Sequence, residues 1–308
     1  MTGSVRLQPL TRARMTSLGD RGADWAERLP GVLAGLARGW GLELGRTLSG
    51  GSNSYVVRAV AADGSAAVVK VVLDDDGLAD QARVLADAAG RGYARLLRID
   101  LDRGALLLEA LGAPLQASGR SSEDQLRVLA DTLAVAWQSS PLDRVPTEAD
   151  KAVGLAGLVT DHWERLGRPC PVAVRDQALR YADLLADTPG ESLVVVHGDA
   201  HPGNALAVPR PRSGAETGYC FVDPDGFVAD RAYDLGVAIR DFSATVLCEG
   251  RPTLESYARL LADRTDVDAT RIWRWAFLER VSTGLYVLGF GAEAVARPYL
   301  DSAAALLD

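Results

Sequence analysis

The chain has 308 residues, of which 48% are hydrophobic and 24% are charged, a composition that argues against collagen-like, coiled-coil and wholly disordered proteins. Residues 1–112 contain 14 Arg and Lys against 13 Asp and Glu, whereas residues 113–308 contain 19 against 28. A nucleic-acid-binding protein needs a basic patch, so this distribution argues against that class. The acidic second part favours a small-molecule partner that carries positive charge.

Neither the apolar runs nor the cysteines point to a membrane, secretion or redox chemistry. No run approaches the roughly 20 apolar residues of a membrane helix, and no apolar block follows the N-terminal arginines as it does in a secretory signal. We therefore expect no membrane partner and a cytoplasmic location. Cys170, Cys220 and Cys248 are scattered without ligand spacing, which predicts reduced thiols. The sequence leaves a monomer and a homodimer both open.

The first third of the chain predicts a small sheet. Residues 1–20 are polar and predict a flexible N-terminal tail. A helical apolar pattern follows from residue 23 to residue 40, where Pro30 and Gly31 predict a division into two short helices. Strand-like runs lie at 42–48, 55–60, 66–73, 94–100 and 105–109, with one helix at 78–89. Residues 21–111 are therefore predicted to form an N-terminal lobe with a five-stranded antiparallel sheet and one inserted helix.

The remainder of the chain, residues 112–308, is predicted to be a mainly helical lobe. Helical patterns lie at 121–137, 151–166, 175–186, 231–247, 254–263 and 269–289. Two strand-like segments, at 193–196 and 219–222, interrupt them. The predicted fold class is α+β with two lobes.

Two loops that follow these strand-like segments contain the residues best suited to chemistry. The first reads His197-Gly198-Asp199-Ala200-His201-Pro202-Gly203-Asn204, and the second begins Asp223-Pro224-Asp225-Gly226. Each alone would pass as a turn. Together they suit phosphoryl transfer, which needs an acceptor oxygen held in line and a neutralised phosphate charge. Asn and Asp oxygens suit Mg²⁺, while a second Asp remains to accept the acceptor's proton.

Lysine is rare in this chain, where Lys70 and Lys151 are the only two. Lys70 lies inside the apolar run Ala-Val-Val-Lys-Val-Val. A compact ammonium on a flexible stem can act there in a way that a planar guanidinium does not. The alternative is a strand-edge residue that extends its charged end into solvent.

These motifs resemble those of known kinases. The His-Gly-Asp-x-His-x-x-Asn motif at 197–204, followed by Val-Asp-Pro, resembles the aminoglycoside phosphotransferase and choline kinase-like superfamily. Trp25, Leu29, Pro30, the strand at 97–100, Leu-Leu-Leu-Glu109, Asp223-Pro224 and Ala232-Tyr233-Asp234-Leu235 more closely resemble the aminoglycoside/hydroxyurea antibiotic resistance kinases. The best-known members of that family phosphorylate streptomycin at its 6-hydroxyl. The resemblance spans residues 25–300 and implies a bilobal protein-kinase-like fold and ATP-dependent phosphorylation of an alcohol group.

The resemblance also implies roles for individual residues. Asp199 would be the catalytic base, and Asn204 and Asp223 would hold Mg²⁺. His197 would fix the catalytic loop in a structural or a chemical role, and Asp234 would support it by accepting backbone N–H bonds. The cofactor ATP would be bound by a further set: Lys70 at the phosphates, Ser52, Asn53 and Ser54 in the covering loop, and Glu109, Ala110 and Leu111 at the adenine.

One position departs from the kinase pattern. Kinases pair the strand lysine with a glutamate on the inserted helix, but the position that aligns best here is Gln81, with Asp80 beside it. Three alternatives are open: Asp80 substitutes, the helix register differs, or nucleotide binding is weaker.

The acceptor site is predicted in the acidic second lobe, where the candidates are Asp241, Glu249, Glu279 and Trp275. The alternative is that Trp275 and its neighbour Trp273 pack internally and that the acids are merely solvated. Three functions follow: an aminoglycoside kinase, a kinase of an amino sugar or choline-like alcohol, and an inactive binding module.

Overall fold

The structure, a computed structural model, describes residues 7–48, 51–74, 77–142, 151–187 and 193–307. The chain divides into two compact units: one comprises residues 1–89 and 94–111, and the other comprises residues 90–93 and 112–308. No helix within the described ranges is long and apolar enough to span a membrane.

The first unit contains the five-stranded antiparallel sheet with one inserted helix that the sequence predicts, and this prediction is confirmed. The strands lie in the order β1-β2-β3-β5-β4, with every neighbouring pair antiparallel. The elements are α1 (Pro9–Ser17), α2 (Asp20–Trp40), β1 (Leu42–Thr47), β2 (Ser54–Ala61), β3 (Ala66–Val72), α3 (Leu78–Ala88), β4 (Leu96–Asp100) and β5 (Ala105–Glu109).

Helix α2 is continuous, so the predicted division at Pro30 is wrong. A proline inside a helix costs about 3 kcal/mol because it removes a backbone hydrogen bond. The apolar face of α2 continues on both sides of Pro30 and packs into the core that faces the sheet. Burying each large side chain stabilises the fold by about 1.5–3 kcal/mol, and several such side chains outweigh one lost bond. They are Trp25, Leu29, Leu33 and Leu36.

The predicted irregular segment at the N-terminus is also wrong where the structure describes it. Residues 1–6 lie outside the described residues, but α1 begins at Pro9, a position that proline favours because its missing N–H has no intrahelical partner there. Thr11 is buried and donates through Oγ1 to the carbonyl of Gly51 over 2.9 Å. Helix α1 is therefore attached to the loop before β2.

The second unit is mainly helical and contains two small two-stranded sheets, β6 with β9 and β7 with β8. Its elements are a 3₁₀ helix (Leu115–Ala117), α4 (Ser122–Ala136), α5 (Lys151–Arg165), α6 (Val172–Ala186), β6 (Leu193–Val196), β7 (Ala205–Ala207), β8 (Tyr219–Phe221), β9 (Phe227–Asp230), α7 (Arg231–Arg240), α8 (Ser243–Glu249), α9 (Arg251–Thr265), α10 (Ala269–Gly289) and α11 (Glu293–Ala305).

The helix predicted over 231–247 is two helices, because the chain turns at Asp241. The Asp241 carboxylate accepts hydrogen bonds from Arg240 Nε at 2.9 Å and from the Tyr299 hydroxyl at 3.0 Å. Phe242 then has ψ 41°, outside the helical range. Strands β6 and β8 correspond to the two predicted strand-like segments, whereas β7 and β9 were not predicted.

Helices α7 and α10 approach each other closely at Gly236. A Cβ atom there would lie 2.5 Å from Trp275 Cβ and 2.8 Å from the backbone nitrogen of Ala276. The same approach lets the Tyr233 hydroxyl on α7 donate to Glu279 on α10 over 2.6 Å. The absence of a side chain at residue 236 thus sets the spacing of two helices that contribute to the site described below.

We predict that Gly236→Ala destabilises the protein by about 1–3 kcal/mol, as overpacking against a rigid backbone does. Chemical denaturation measures the change. The matched control is Gly154→Ala on α5, which is exposed with no atom within 4 Å of the added Cβ. That change should stabilise by about 0.5–1 kcal/mol because alanine favours helix. Equal effects of the two substitutions would contradict the close approach.

Candidate active site

Two loops of the second unit lie side by side, because both connect the same pair of small sheets. The 197–204 loop leads from β6 to β7, and the 222–226 loop leads from β8 to β9. Backbone hydrogen bonds join them at both ends: Val222 N donates to Asn204 O over 2.9 Å, and Asp225 N donates to His197 O over 2.7 Å. The strand pairing therefore brings the two predicted loops together.

His197 is a buried residue that fastens both loops. Its Nδ1 accepts from Asp199 N over 3.0 Å, and its Nε2 lies 2.9 Å from Val222 O. The carbonyl can only accept, so Nε2 carries the proton and the ring is neutral. Burial lowers the pKa of His197, although Asp234 opposes the shift, and a lowered pKa agrees with a neutral ring. Tyr93 and Phe221 pack against the ring.

Asp234, in the first turn of α7, binds the start of the first loop. Its Oδ2 accepts from the backbone N–H of His197 over 2.9 Å and from Trp137 Nε1 over 2.8 Å, and its Oδ1 accepts from the N–H of Gly198 over 2.9 Å. Burial raises the pKa of Asp234, while His197 and these donors act to lower it. This is the arrangement expected of a residue that supports the loop.

Gly198 must be glycine for two reasons. Its φ is +92°, in a region that side chains disfavour. A Cβ atom there would also lie 2.6 Å from Asp225 Cβ in the other loop. The tight turn at Gly198 precedes Asp199, whose side chain is 38% exposed.

The Asp199 carboxylate is held at both oxygens, yet it stays accessible. Oδ1 accepts from Arg240 Nη2 over 2.8 Å, and Oδ2 accepts from Asn204 Nδ2 over 3.1 Å. His201 Nε2 lies 3.4 Å from Oδ2, and 38% of the Asp199 side chain is exposed. These contacts fix the plane of the carboxylate while leaving lone pairs for a further donor.

The charges around Asp199 keep it ionised. Desolvation acts to raise the pKa of Asp199, but the positive charges of His201 and Arg240 lower it well below its ordinary value. The two neighbouring cations together outweigh the desolvation of the carboxylate. Burial acts to lower the pKa of His201, but Asp199 and Asp241 raise it overall.

Asn204 and Asp223, the predicted Mg²⁺ ligands, lie close to each other along the paired strands β7 and β8. They flank the pairing of Ala205 with Phe221, where β7 begins and β8 ends. The Asn204 amide nitrogen is bound by the carbonyl and carboxylate of Asp199, so its amide oxygen is directed elsewhere. Asp223 has φ +65°, which is unusual for a residue other than glycine and often marks a functional constraint.

These donors fit Mg²⁺ only in part. Mg²⁺ prefers a few hard oxygen ligands, with water and phosphate oxygens completing its octahedron, and an amide oxygen beside a carboxylate suits that preference. Within the described ranges no group of three or more His, Cys, Asp or Glu side chains could hold a metal ion. The assignment of this pair to Mg²⁺ remains a prediction.

The predicted acceptor-site residues lie in different surroundings, and two of them need correction. Glu279 and Trp275 are buried, at 5% and 4% exposure, so they are unsuited to direct contact with a substrate. Glu279 instead binds Tyr233 and lies 3.6 Å from Arg240. Asp241 is nearer the catalytic loop, with His201 Nδ1 3.2 Å from its Oδ2. Glu249 is exposed at the end of α8.

Arg240, which donates to Asp199, was not among the predicted site residues. In the structure every α7 residue from Ala232 to Arg240 is buried. A buried arginine must be paired. The partners of Arg240 lie far away in sequence, so its importance appears only in the structure.

The residues predicted to contact ATP lie in the first unit. There Lys70 contacts Gln81. Lys70 lies on β3, is 8% exposed, and donates from Nζ to Gln81 Oε1 on α3 over 2.8 Å. Asp80 instead pairs with Arg83 on the partly exposed side of the same helix. Two of the alternatives are thereby decided: the predicted helix register is correct, and Asp80 does not substitute for the glutamate because Gln81 contacts Lys70.

The other predicted nucleotide residues lie beside these strands. Ser54 begins β2, Asn53 donates from Nδ2 to the Asp74 carbonyl over 3.4 Å, and Ser52 precedes them. Glu109 ends β5, with its side chain accepting from Arg95 N over 2.8 Å. The chain continues through Ala110 and Leu111. Nothing in these contacts assigns a role to the residues, and their nucleotide contacts remain predictions.

We predict that Gln81→Met, which keeps the volume but removes the oxygen, destabilises the protein by about 1.5–3 kcal/mol because it deletes a hydrogen bond to a buried charge. Chemical denaturation measures the loss. Asp80→Ala is the control, since a solvated pair contributes about 0–1 kcal/mol. A larger loss for Asp80→Ala than for Gln81→Met would contradict the observed register.

Comparisons with known proteins agree with the sequence prediction of a small-molecule kinase. The sequence profile of the family described as "Aminoglycoside/hydroxyurea antibiotic resistance kinase" matches residues 40–289. A hydroxyurea phosphotransferase of Kitasatospora aureofaciens is 31% identical over 227 residues, which cover 70% of this chain and 62% of that protein. A streptomycin 6-kinase of Streptomyces griseus is 26% identical over 311 residues, which cover 96% of this chain and 95% of that protein.

A solved structure shows the same fold. The aminoglycoside phosphotransferase APH(3'')-Id from Streptomyces rimosus, in complex with ADP and streptomycin, superposes with a TM-score of 0.59 at 19% identity. The match covers 83% of this chain and 98% of that one. The two chains therefore share the bilobal kinase-like fold, as the sequence predicts.

Proposed function

The chain belongs to the aminoglycoside/hydroxyurea antibiotic resistance kinase family, whose members are ATP-dependent phosphotransferases, and we propose that it transfers the γ-phosphate of ATP to a hydroxyl group of a cationic, streptomycin-like aminoglycoside in the cytoplasm. The observation that carries the proposal is the Asp199 carboxylate, which is fixed at both oxygens, ionised and accessible. A residue that accepts a proton must be deprotonated and within reach of the group that gives the proton up.

In this reaction the acceptor oxygen forms a bond to the γ-phosphorus while the bond from that phosphorus to the β–γ bridging oxygen breaks, and ADP leaves. Asp199 accepts the proton of the acceptor hydroxyl. Asn204 donates to the carboxylate and restricts its orientation. His197 and Asp234 hold the loop backbone that carries Asp199.

The nucleotide requires a second group of residues. The oxygens of Asn204 and Asp223 would hold Mg²⁺, which supplies positive charge at the phosphate oxygens when bound. Lys70 would contact the nucleotide phosphates. Backbone N–H groups of the loop at 52–54 would meet the same phosphates, and the backbone at 109–111 would meet the adenine.

Two observations support a streptomycin-like acceptor. The streptomycin 6-kinase relative aligns along 96% of this chain. The acidic excess of residues 113–308, 28 Asp and Glu against 19 Arg and Lys, favours a guanidinium- or amine-bearing compound. Hydroxyurea, which is small and uncharged, is the second candidate, because the hydroxyurea phosphotransferase is the relative at 31% identity.

We expect ADP release from MgATP with streptomycin, and with hydroxyurea only if the second candidate holds. The assay compares streptomycin, hydroxyurea, choline and an amino sugar, with mass spectrometry to detect a phosphorylated product. Release with choline or the amino sugar alone would replace the proposed acceptor. A folded protein that binds MgATP but phosphorylates no acceptor would support an inactive binding module.

Asp199→Asn is the matched catalytic control. We expect a kcat lower by about 10²–10⁴-fold, the range for loss of a general base. Nucleotide affinity, measured by calorimetry, should be unchanged because the base acts on the acceptor and not on ATP. A parallel loss of nucleotide affinity in the folded variant would argue against this role.

We further predict that Asp223→Asn weakens the apparent Mg²⁺ affinity of the nucleotide complex by at least about tenfold, since even indirect changes near a metal cost about 10–100-fold. Asparagine tolerates the positive φ of this residue, so backbone strain should not contribute to the change in Mg²⁺ affinity. Asp266→Asn is the control, because Asp266 also has a positive φ but caps α9. Identical magnesium titrations for Asp223→Asn and the wild type would refute the assignment.

A further inference from the structure

Arg240 is the centre of a charge network that the reaction described above does not explain. Its side chain is 8% exposed and contacts three carboxylates: Asp199 Oδ1 at 2.8 Å, Asp241 Oδ1 at 2.9 Å and Glu279 Oε2 at 3.6 Å. A guanidinium presents its donors in a fixed planar fork. The position of the fork therefore determines the position of the Asp199 oxygen that it binds.

The other two carboxylates hold the guanidinium in place. Glu279 accepts from the Tyr233 hydroxyl over 2.6 Å, and Asp241 accepts from the Tyr299 hydroxyl over 3.0 Å. Each anchor is thus fixed by a tyrosine on a packed helix. Of the three carboxylates, Asp199 has the most exposed side chain, at 38%, against 21% for Asp241 and 7% for Glu279. The carboxylate oxygens of Asp199 are therefore the most accessible part of the network.

Arg240 keeps its positive charge. Burial acts to lower its pKa, but Asp241 and Asp199 outweigh burial and raise it. The guanidinium therefore stays protonated and cannot leave Asp199 by losing its charge. Because it is buried, it is also poorly placed to reach a substrate itself. Its effect on a reaction must pass through the residue that it touches.

We propose that Arg240 is a positioning residue, which orients the Asp199 carboxylate for proton acceptance through the fork anchored by Asp241 and Glu279. The inference rests on the proposed function of Asp199. It predicts that Arg240 matters for the rate of the chemical step and not for the binding of either substrate. A purely structural arginine would instead change stability, and a substrate-binding arginine would change KM.

The test compares Arg240→Gln, Arg240→Lys and the control Arg271→Gln. Arg271 pairs with Asp230 at the opposite end of α7, is likewise largely buried, and also donates to the Leu185 carbonyl, so these two partners lie outside the 197–204 loop. We expect Arg240→Gln to lower kcat by about 10²-fold, as a misplacement of roughly 1 Å does, with unchanged KM for acceptor and MgATP. Arg240→Lys should recover part of the rate, because an ammonium keeps the charge but not the fork.

The control separates stability from positioning. Arg271→Gln should lower the melting temperature and leave kcat unchanged below that temperature. The proposal is overturned if folded Arg240→Gln retains the wild-type kcat, if its loss lies in KM, or if Arg271→Gln loses kcat equally. If Arg240→Gln does not fold, Glu279→Gln replaces it, with a smaller loss of kcat and unchanged KM; an unchanged kcat would again overturn the proposal.

A crystal structure of the same variant distinguishes this proposal from the proposed function. In Arg240→Gln, or in Glu279→Gln if only that variant folds, the Asp199 side chain should adopt another rotamer or several. This result is independent of any acceptor. A wild-type enzyme that phosphorylates nothing would defeat the proposed function alone, whereas an unmoved Asp199 side chain in the variant would defeat the positioning role.

Discussion

The hydrogen bonds of the Asp234 carboxylate hold the 197–204 loop to the helical part of the second unit. Two backbone N–H groups, of His197 and Gly198, and the indole of Trp137 all donate to it. Each such bond to a charged group contributes about 1.5–3 kcal/mol. The carboxylate is fully buried, so it would carry a large desolvation cost without these donors. The loop and the carboxylate therefore stabilise each other, and the conformation of the strand end after β6 depends on α7.

Helix α7 supports the loop at two levels. Asp234 in its first turn fixes the backbone at 197–198, and Arg240 at its last turn fixes the side chain of Asp199. The two residues are six positions apart, about 9 Å along the axis at 1.5 Å per residue. A rigid helix keeps that spacing constant. Gly236 lies between them and lets α10 come close enough to supply Glu279.

Features that depend on residues close together in the sequence could be predicted from the sequence. The five strands of the first unit and most helices show local periodicity, so their existence was predictable and only their ends moved. The two loops were predictable because Asp199, Asn204 and Asp223 follow apolar strands at a recognisable spacing. Even the pairing of Lys70 with Gln81 could be anticipated, since both positions are set by a strand and a helix that are adjacent in sequence.

The rest could not be predicted because it depends on contacts between distant residues. Pro30 indicates a helix break locally, and only packing against the sheet overrides it. Glu279 and Trp275 looked like candidates for substrate contact because their burial depends on how α7 and α10 pack. Arg240 contacts a residue 41 positions away, so no short motif contains both members of that pair.

The scarcity of lysine has a practical consequence for chemical modification. Only Lys70 and Lys151 have a side-chain amine; the first is buried and bound to Gln81, and the second lies 4.5 Å from the centre of the Phe227 ring. One such amine lies in each unit. An amine-selective reagent can therefore modify one lysine side chain in each unit. Because a buried amine reacts only when its surroundings open, the rate of Lys70 acylation would measure how often the small sheet opens locally, with little background from other side chains.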